Sequence, residues 1–157
     1  MTASNFRHTM KALRDFGQKI VDNYKAELEA CNYQDGQLYR TLRYSVKMDN
    51  SSWLISISLE KYWRYIEYGR RPGKMPPLDV IEKWIDVKQI KPHSMTLKSG
   101  KTVIPRPPQL PFLIARSIGQ RGIPPKPLFK NSFEAAKQQF IQVIKDAITQ
   151  DIKENLI

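Results

Sequence analysis

The chain has 157 residues, 41% of them hydrophobic and 26% charged, with 26 Lys+Arg against 15 Asp+Glu for a net charge of +11. A chain of this length buries roughly 68–70% of its unfolded surface, enough for a real core, so wholesale disorder is excluded. A lone cysteine, Cys31, excludes an internal disulfide framework, and neither histidine, His8 or His93, sits in a cluster with zinc-ligand spacing.

Taken from the start, a short polar stretch runs into apolar residues at Phe6, Met10, Leu13, Phe16, Ile20, Tyr24, Leu28 and Cys31. Steps of three and four place them on one stripe, which predicts a long amphipathic helix ended by Asn32 to Gly36. Gly17 lies inside it at a cost of about 1 kcal/mol relative to Ala. The spacing reads Met10 and Cys31 as core residues. There is no apolar leader region and no apolar run of about 18 residues, so a soluble protein made in a reducing cytoplasm, without a membrane partner, is expected.

Residues 42–48 alternate apolar and polar, as do Trp53, Ile55, Ile57 and Leu59 against Ser56 and Ser58. With Asp49 to Ser52 between them, they predict a β-hairpin with one buried face. Such a hairpin is marginal alone and needs a helix, a further strand or a neighbouring subunit to pack on. Tyr62, Trp63, Tyr65, Ile66 and Tyr68 then form a short predicted helix closed by Gly69 in a left-handed cap.

All eleven prolines fall between Pro72 and Pro127, and residues 61–130 hold 15 Lys+Arg against 4 Asp+Glu. The chain therefore reads as two regular ends around a rigid, basic, turn-rich middle. In that middle, Leu78, Ile81, Trp84 and Ile85 predict a helix starting near Pro77. Met95 to Ile104 predicts a second hairpin about Ser99-Gly100, and Pro111 to Ile118 a third short helix ended at Gly119 or Gly122. Phe129, Phe133, Ala136, Phe140, Ile144, Ile148 and Ile152 predict a long final helix packed antiparallel or crossed against the first. The fold class is α+β: long terminal helices with a small antiparallel sheet, and an inserted Pro-rich helix-hairpin-helix module over 70–123 within a single domain whose core is 1–69 and 124–157.

Little in the chain points to chemistry. Gly69 to Lys74 has glycines one residue too close for a phosphate loop, and Met75 stands where Ser or Thr is needed. Asp79, Glu82 and Asp86 lie on the polar face of a predicted helix, as solubilising residues do. No carboxylate and His cluster suited to metal-assisted hydrolysis is visible, so neither an enzyme nor a cofactor is expected. The aromatic residues from Trp53 to Tyr68 interleave with Lys61, Arg64, Arg70 and Arg71. This suits stacking on single-stranded nucleic acid, but a protein interface, where aromatics and Arg are enriched, explains more of these residues.

The run Tyr65-Ile-Glu-Tyr-Gly69, followed by Pro125-Lys-Pro-Leu-Phe129 and a helix containing Glu134-Ala-Ala136, resembles the tailed-bacteriophage neck and tail-completion proteins. The likeness covers roughly residues 1–69 and 124–157. Gly73-Lys-Met-Pro-Pro77 and Phe112 to Ile118 are similar to runs in tail-associated proteins of phages and prophages. The resemblance implies a virion structural protein, assembled in the bacterial host cytoplasm, that forms a homo-oligomeric ring joining portal to tail around a DNA channel. Its expected partners are identical subunits, adjacent portal, neck or tail proteins, and genomic DNA through non-specific contact. The interface and structural residues it implies are Tyr65, Glu67, Tyr68, Gly69, Pro125, Pro127 and Phe129. Glu67 is placed to meet a positive group or backbone donors, Gly69 permits a positive φ, and the two prolines set how the chain approaches the last helix. Arg70, Arg71, Lys74, Lys98, Lys101 and Arg106 are the candidate contacts to DNA or an acidic partner, and a basic nucleic-acid-binding protein is the alternative reading.

Overall fold

In chain order, the apolar stripe after Phe6 becomes helix α1 (Arg7–Ala30), followed by a five-residue helix α2 (Gln37–Thr41). Strands β1 (Arg43–Asp49) and β2 (Ser52–Ser58) come next, then α3 (Trp63–Glu67) and α4 (Leu78–Lys88). Short strands β3 (Met95–Thr96) and β4 (Thr102–Val103) precede a 3-10 turn at Pro107–Gln109, α5 (Leu110–Arg121) and α6 (Leu128–Asn155). The computed structural model describes residues 6–49, 52–96 and 98–156. The middle of the first hairpin's turn and Leu97 of the second hairpin lie outside the described residues. The fold is α+β, with two antiparallel two-stranded sheets.

The chain divides into two compact units, one made by the flanks up to Tyr68 and from Lys126 onward, the other Gly69–Pro125. In the first, α1 and α6 lie antiparallel. Phe16 stacks on Phe140 at 4.0 Å between ring centroids, and Tyr24 meets Phe129 edge-on at 5.5 Å. α1 ends where Asn32 turns left-handed (φ 58°), and the Asn32 and Tyr33 amides donate to the Glu29 and Leu28 carbonyls. That arrangement satisfies the last helical acceptors and folds Tyr33 back onto the core.

β1 pairs with β2 in the register Arg43↔Ser58, Val46↔Ile55 and Asp49↔Ser52. The face carrying Tyr44, Val46 and Met48 is half-buried. Gly17 has a positive role here, because a Cβ on it would collide with the Tyr44 ring. The apparent helix defect is the place where the hairpin approaches α1 closely. Val21, Tyr24, Leu28, Leu38, Leu42 and Leu128 are buried together, with Trp63, Ile66 and Phe129 packed on them.

In the second unit α4 packs on α5, and an Arg70↔Ile123 bridge joins its two ends. The Gly73 amide donates to Gly119 O at 2.7 Å. α5 runs through Gly119 and stops at Gly122, whose φ is 73°. Of the two stops the sequence offers, Gly122 is the one used.

Several expected core positions are exposed. Leu78 (41%) and Trp84 (46%) on α4, and Ile148 (40%) and Ile152 (48%) on α6, remain open to solvent. Met10 and Cys31 are only half-buried. These helices carry apolar stripes wider than the surfaces that cover them.

Candidate functional site

Residues 65–68 and 126–129, from the two runs singled out in the sequence, meet in the first unit. α3 is one short turn, and the Lys126 amide donates to Ile66 O at 2.8 Å. The next residue, Glu67, is buried at 6% exposure. Its carboxylate accepts from the Phe129 amide at 2.9 Å and the Lys130 amide at 3.0 Å. These are the second and third residues of α6, whose N-cap position is Pro127, a residue with no acceptor side chain. A side chain from α3 therefore does the work of an N-cap, and its charge complements the positive end of a 28-residue helix. Of the partners open to Glu67, backbone donors are the ones present.

Around this joint the rings of Trp63 and Phe129 lie 5.8 Å apart, and Trp63 is 6.0 Å from Tyr68. Tyr24 is fully buried, and its hydroxyl has no hydrogen-bond partner among the described residues. Burial raises its pKa far above the usual phenol value, and the negative charge of Glu67 pushes it the same way.

Gly69, the first residue of the second unit, has φ 68°. A Cβ there would collide with Ile123 O and lie 2.8 Å from Pro125 N. The Arg70 and Ile123 amides exchange bonds of 2.9 and 2.8 Å beside it. This position excludes a side chain twice over, by backbone conformation and by space.

Tyr65 and Tyr68 face outward at 62% and 71% exposure. Pro125 and Pro127 are also exposed, and Phe129 is half-buried against the core. The pattern thus splits into residues committed to internal packing, Glu67 and Phe129 in the first unit and Gly69 in the second, and rings that the chain leaves uncovered.

Positions 69–125 carry 11 Lys+Arg against 3 Asp+Glu. Arg71, Lys74, Lys98, Lys101 and Arg106 are exposed, and among the described residues none pairs with a carboxylate. Arg70 differs, because its guanidinium donates to Lys74 O at 2.7 Å and holds the loop.

A second carboxylate joint escapes sequence reasoning. Asp151, at 1% exposure, accepts from the His8 amide at 2.9 Å and the Thr9 amide at 2.7 Å. It thereby caps α1, whose N-cap residue, Phe6, has no acceptor. Burial raises the Asp151 pKa, but the Thr9 side chain and the Thr9 and His8 amides outweigh it and hold the carboxyl below its ordinary value. His8 Nε2 lies 2.9 Å from Glu154 Oε1, so His8 has a partner on α6 that no neighbouring motif announces. Donor atoms of His8, Asp151 and Glu154 fall within 4.8 Å of one another. Both Asp151 oxygens are engaged by amides at a positive helix end, which suits a cap and works against a cation. An open groove of about 280 Å³ runs between α1 and α6, lined by Ala12, Phe16, Ala136, Phe140 and Val143, with Asp15, Lys19 and Gln139 as its polar residues.

Among the described residues no helix is long and apolar enough to cross a membrane. No family model matches the chain, and searches of curated proteins and of solved structures give no match.

Proposed function

We propose that the chain is a structural subunit of a homo-oligomeric ring in the neck or tail of a tailed bacteriophage, joining portal to tail around a channel for DNA. The observation that carries the reading is the division of labour within the Tyr65 to Gly69 run. Glu67 and Gly69 are committed to the chain's own architecture, while Tyr65 and Tyr68 are left open. Uncovered aromatic rings on a rigid base are what a subunit offers to a neighbour. A closed ring needs two different patches per subunit, and the exposed apolar residues of α4, among them Val80, Trp84 and Val87, supply further contact surface. The test is native mass spectrometry and electron microscopy of the purified protein, with a search for it in virions. A protein that stays monomeric at high concentration and is absent from particles overturns the reading.

A second reading, non-specific nucleic-acid binding, is favoured by the exposed Arg71, Lys74, Lys98, Lys101 and Arg106, none of which pairs with a carboxylate among the described residues. Replacing Lys98, Lys101 and Arg106 with Gln is expected to lower the slope of log K against log salt by about 2 to 3, near 0.9 for each phosphate no longer neutralised. A flat salt response in the parent protein removes this reading.

A further inference from the structure

The sheet β1–β2 has two outer edges, and their chemistry differs. The strand on one side, β1, exposes Arg43, Ser45, Lys47 and Asp49, three of them charged, as strands that guard an edge against unwanted pairing are. The strand on the other side, β2, carries Ser52, Leu54, Ser56 and Ser58 on the same face, with no charge and no proline. Leu54 is 54% exposed there. Among the described residues, no strand pairs with the free edge of β2.

The register puts Asp49 opposite Ser52 across a two-residue connection, which makes them a hydrogen-bonded pair. Bonded and non-bonded positions alternate, so the backbone groups directed to the free edge are those of Trp53, Ile55 and Ile57. Their side chains lie on the half-buried apolar face. The edge therefore offers three donor–acceptor residues on a seven-residue strand and an apolar face ready to be extended.

Charge distribution indicates where two copies can approach. The unit containing the hairpin has 15 Lys+Arg against 12 Asp+Glu, whereas Gly69–Pro125 has 11 against 3. Self-association through the second unit sets two strongly basic bodies against each other. Through the hairpin it joins two nearly neutral ones.

We infer that β2 pairs antiparallel with β2 of a second copy about a two-fold axis at Ile55, giving a four-stranded sheet in the order β1-β2-β2-β1. Full overlap places Ile55 opposite its own counterpart, Trp53 opposite Ile57 and Leu54 opposite Ser56. The Trp53–Ile57 pair is the aromatic with β-branched kind that stabilises a sheet face. Pairing removes the uncharged edge and turns a marginal two-stranded sheet into one that supports itself. The charged β1 edges become the new borders. This contact closes on itself, so the inference goes beyond the ring reading and needs only two copies.

Sedimentation equilibrium of the full chain tests it. The parent protein is expected to form dimers, or oligomers built from them. Leu54→Lys with Ser56→Lys sets lysines opposite one another twice and is expected to weaken association about tenfold or more. Leu54→Glu with Ser56→Glu does the same with the opposite sign. An equimolar mixture of the two variants is expected to recover a dimer holding one of each. Ser45→Lys, on the same face of β1, leaves association unchanged. Far-UV circular dichroism confirms that the variants are folded. Amide hydrogen exchange at Trp53, Ile55 and Ile57 in the parent protein slows as concentration rises. A monomeric parent, a lysine variant that associates as the parent does, a mixture that recovers nothing, or exchange independent of concentration each overturns the inference. A lysine variant that loses the pairing but still forms rings supports this contact and leaves the ring reading standing, while a parent that pairs and never closes rings overturns only the ring reading.

Discussion

Glu67→Gln probes the joint between the two runs directly. The carboxylate spans two amides, at 2.9 and 3.0 Å, at 6% exposure, so water replaces neither bond easily. Glutamine keeps one carbonyl oxygen but presents an NH2 donor to the other amide, so one bond is lost and two donors face each other. Hydrogen bonds to charged groups are worth about 1.5–3 kcal/mol, and a charge at a partly buried helix end contributes up to about 2 kcal/mol. Relief of the buried charge's desolvation offsets part of this. The expected net loss is about 2 kcal/mol, or about 4–8 °C in Tm for a chain of this size. Glu67→Ala removes both acceptors and opens a void, for about 3–4 kcal/mol. Urea titration followed by far-UV circular dichroism reads the loss of α6. Tyr65→Ala and Tyr68→Ala, both on exposed rings, serve as controls expected to stay within about 0.5 kcal/mol of the parent. A Glu67→Gln protein as stable as the parent within about 0.5 kcal/mol refutes the capping argument.

The Asp151 pKa in the folded protein lies below its unfolded value, so the group contributes stability above the ordinary carboxylate range, and that contribution disappears as pH falls through the depressed value. Thermal melts across the acid range are expected to show a shallower loss of stability for Asp151→Asn than for the parent; identical slopes refute this. Gly69→Ala is expected to cost about 2 kcal/mol or more, because positive φ and the Ile123 carbonyl both oppose a Cβ, whereas Gly100→Ala, with positive φ and no neighbour within 4 Å among the described residues, costs about 1 kcal/mol. Equal losses in chemical denaturation contradict the steric argument. Tyr24→Phe deletes a buried hydroxyl without a described partner, so stability is expected to hold or rise by about 1 kcal/mol. A loss above about 1 kcal/mol in the same titration shows that the hydroxyl is bonded.

What the sequence settles on its own is whatever local periodicity encodes. Steps of three and four mark α1 and α6, alternation marks β1 and β2, and Gly69 marks a turn, because these patterns follow from helix and strand geometry whatever they pack against, while the end of α5 stays open between Gly119 and Gly122 until the structure places it at Gly122. The short helix closed by Gly69 is visible in the same way, whereas the need for a partner at Glu67 is what the family resemblance implies. The five-residue α2 is not visible, since its single buried residue, Leu38, makes no period. Gly17 reads as a helix defect until Tyr44 is seen against it. Tertiary structure alone decides which half of each apolar stripe is covered, leaving Trp84 and Ile152 open, and which carboxylate reaches which helix end. Asp151 lies 142 residues from Thr9 and Glu67 lies 62 from Phe129. Phe6 and Pro127 show only that a cap is missing; the acceptor that supplies it is selected by the antiparallel packing of α1 on α6 and by the seat of α3 beside them, and neither leaves a trace in local order.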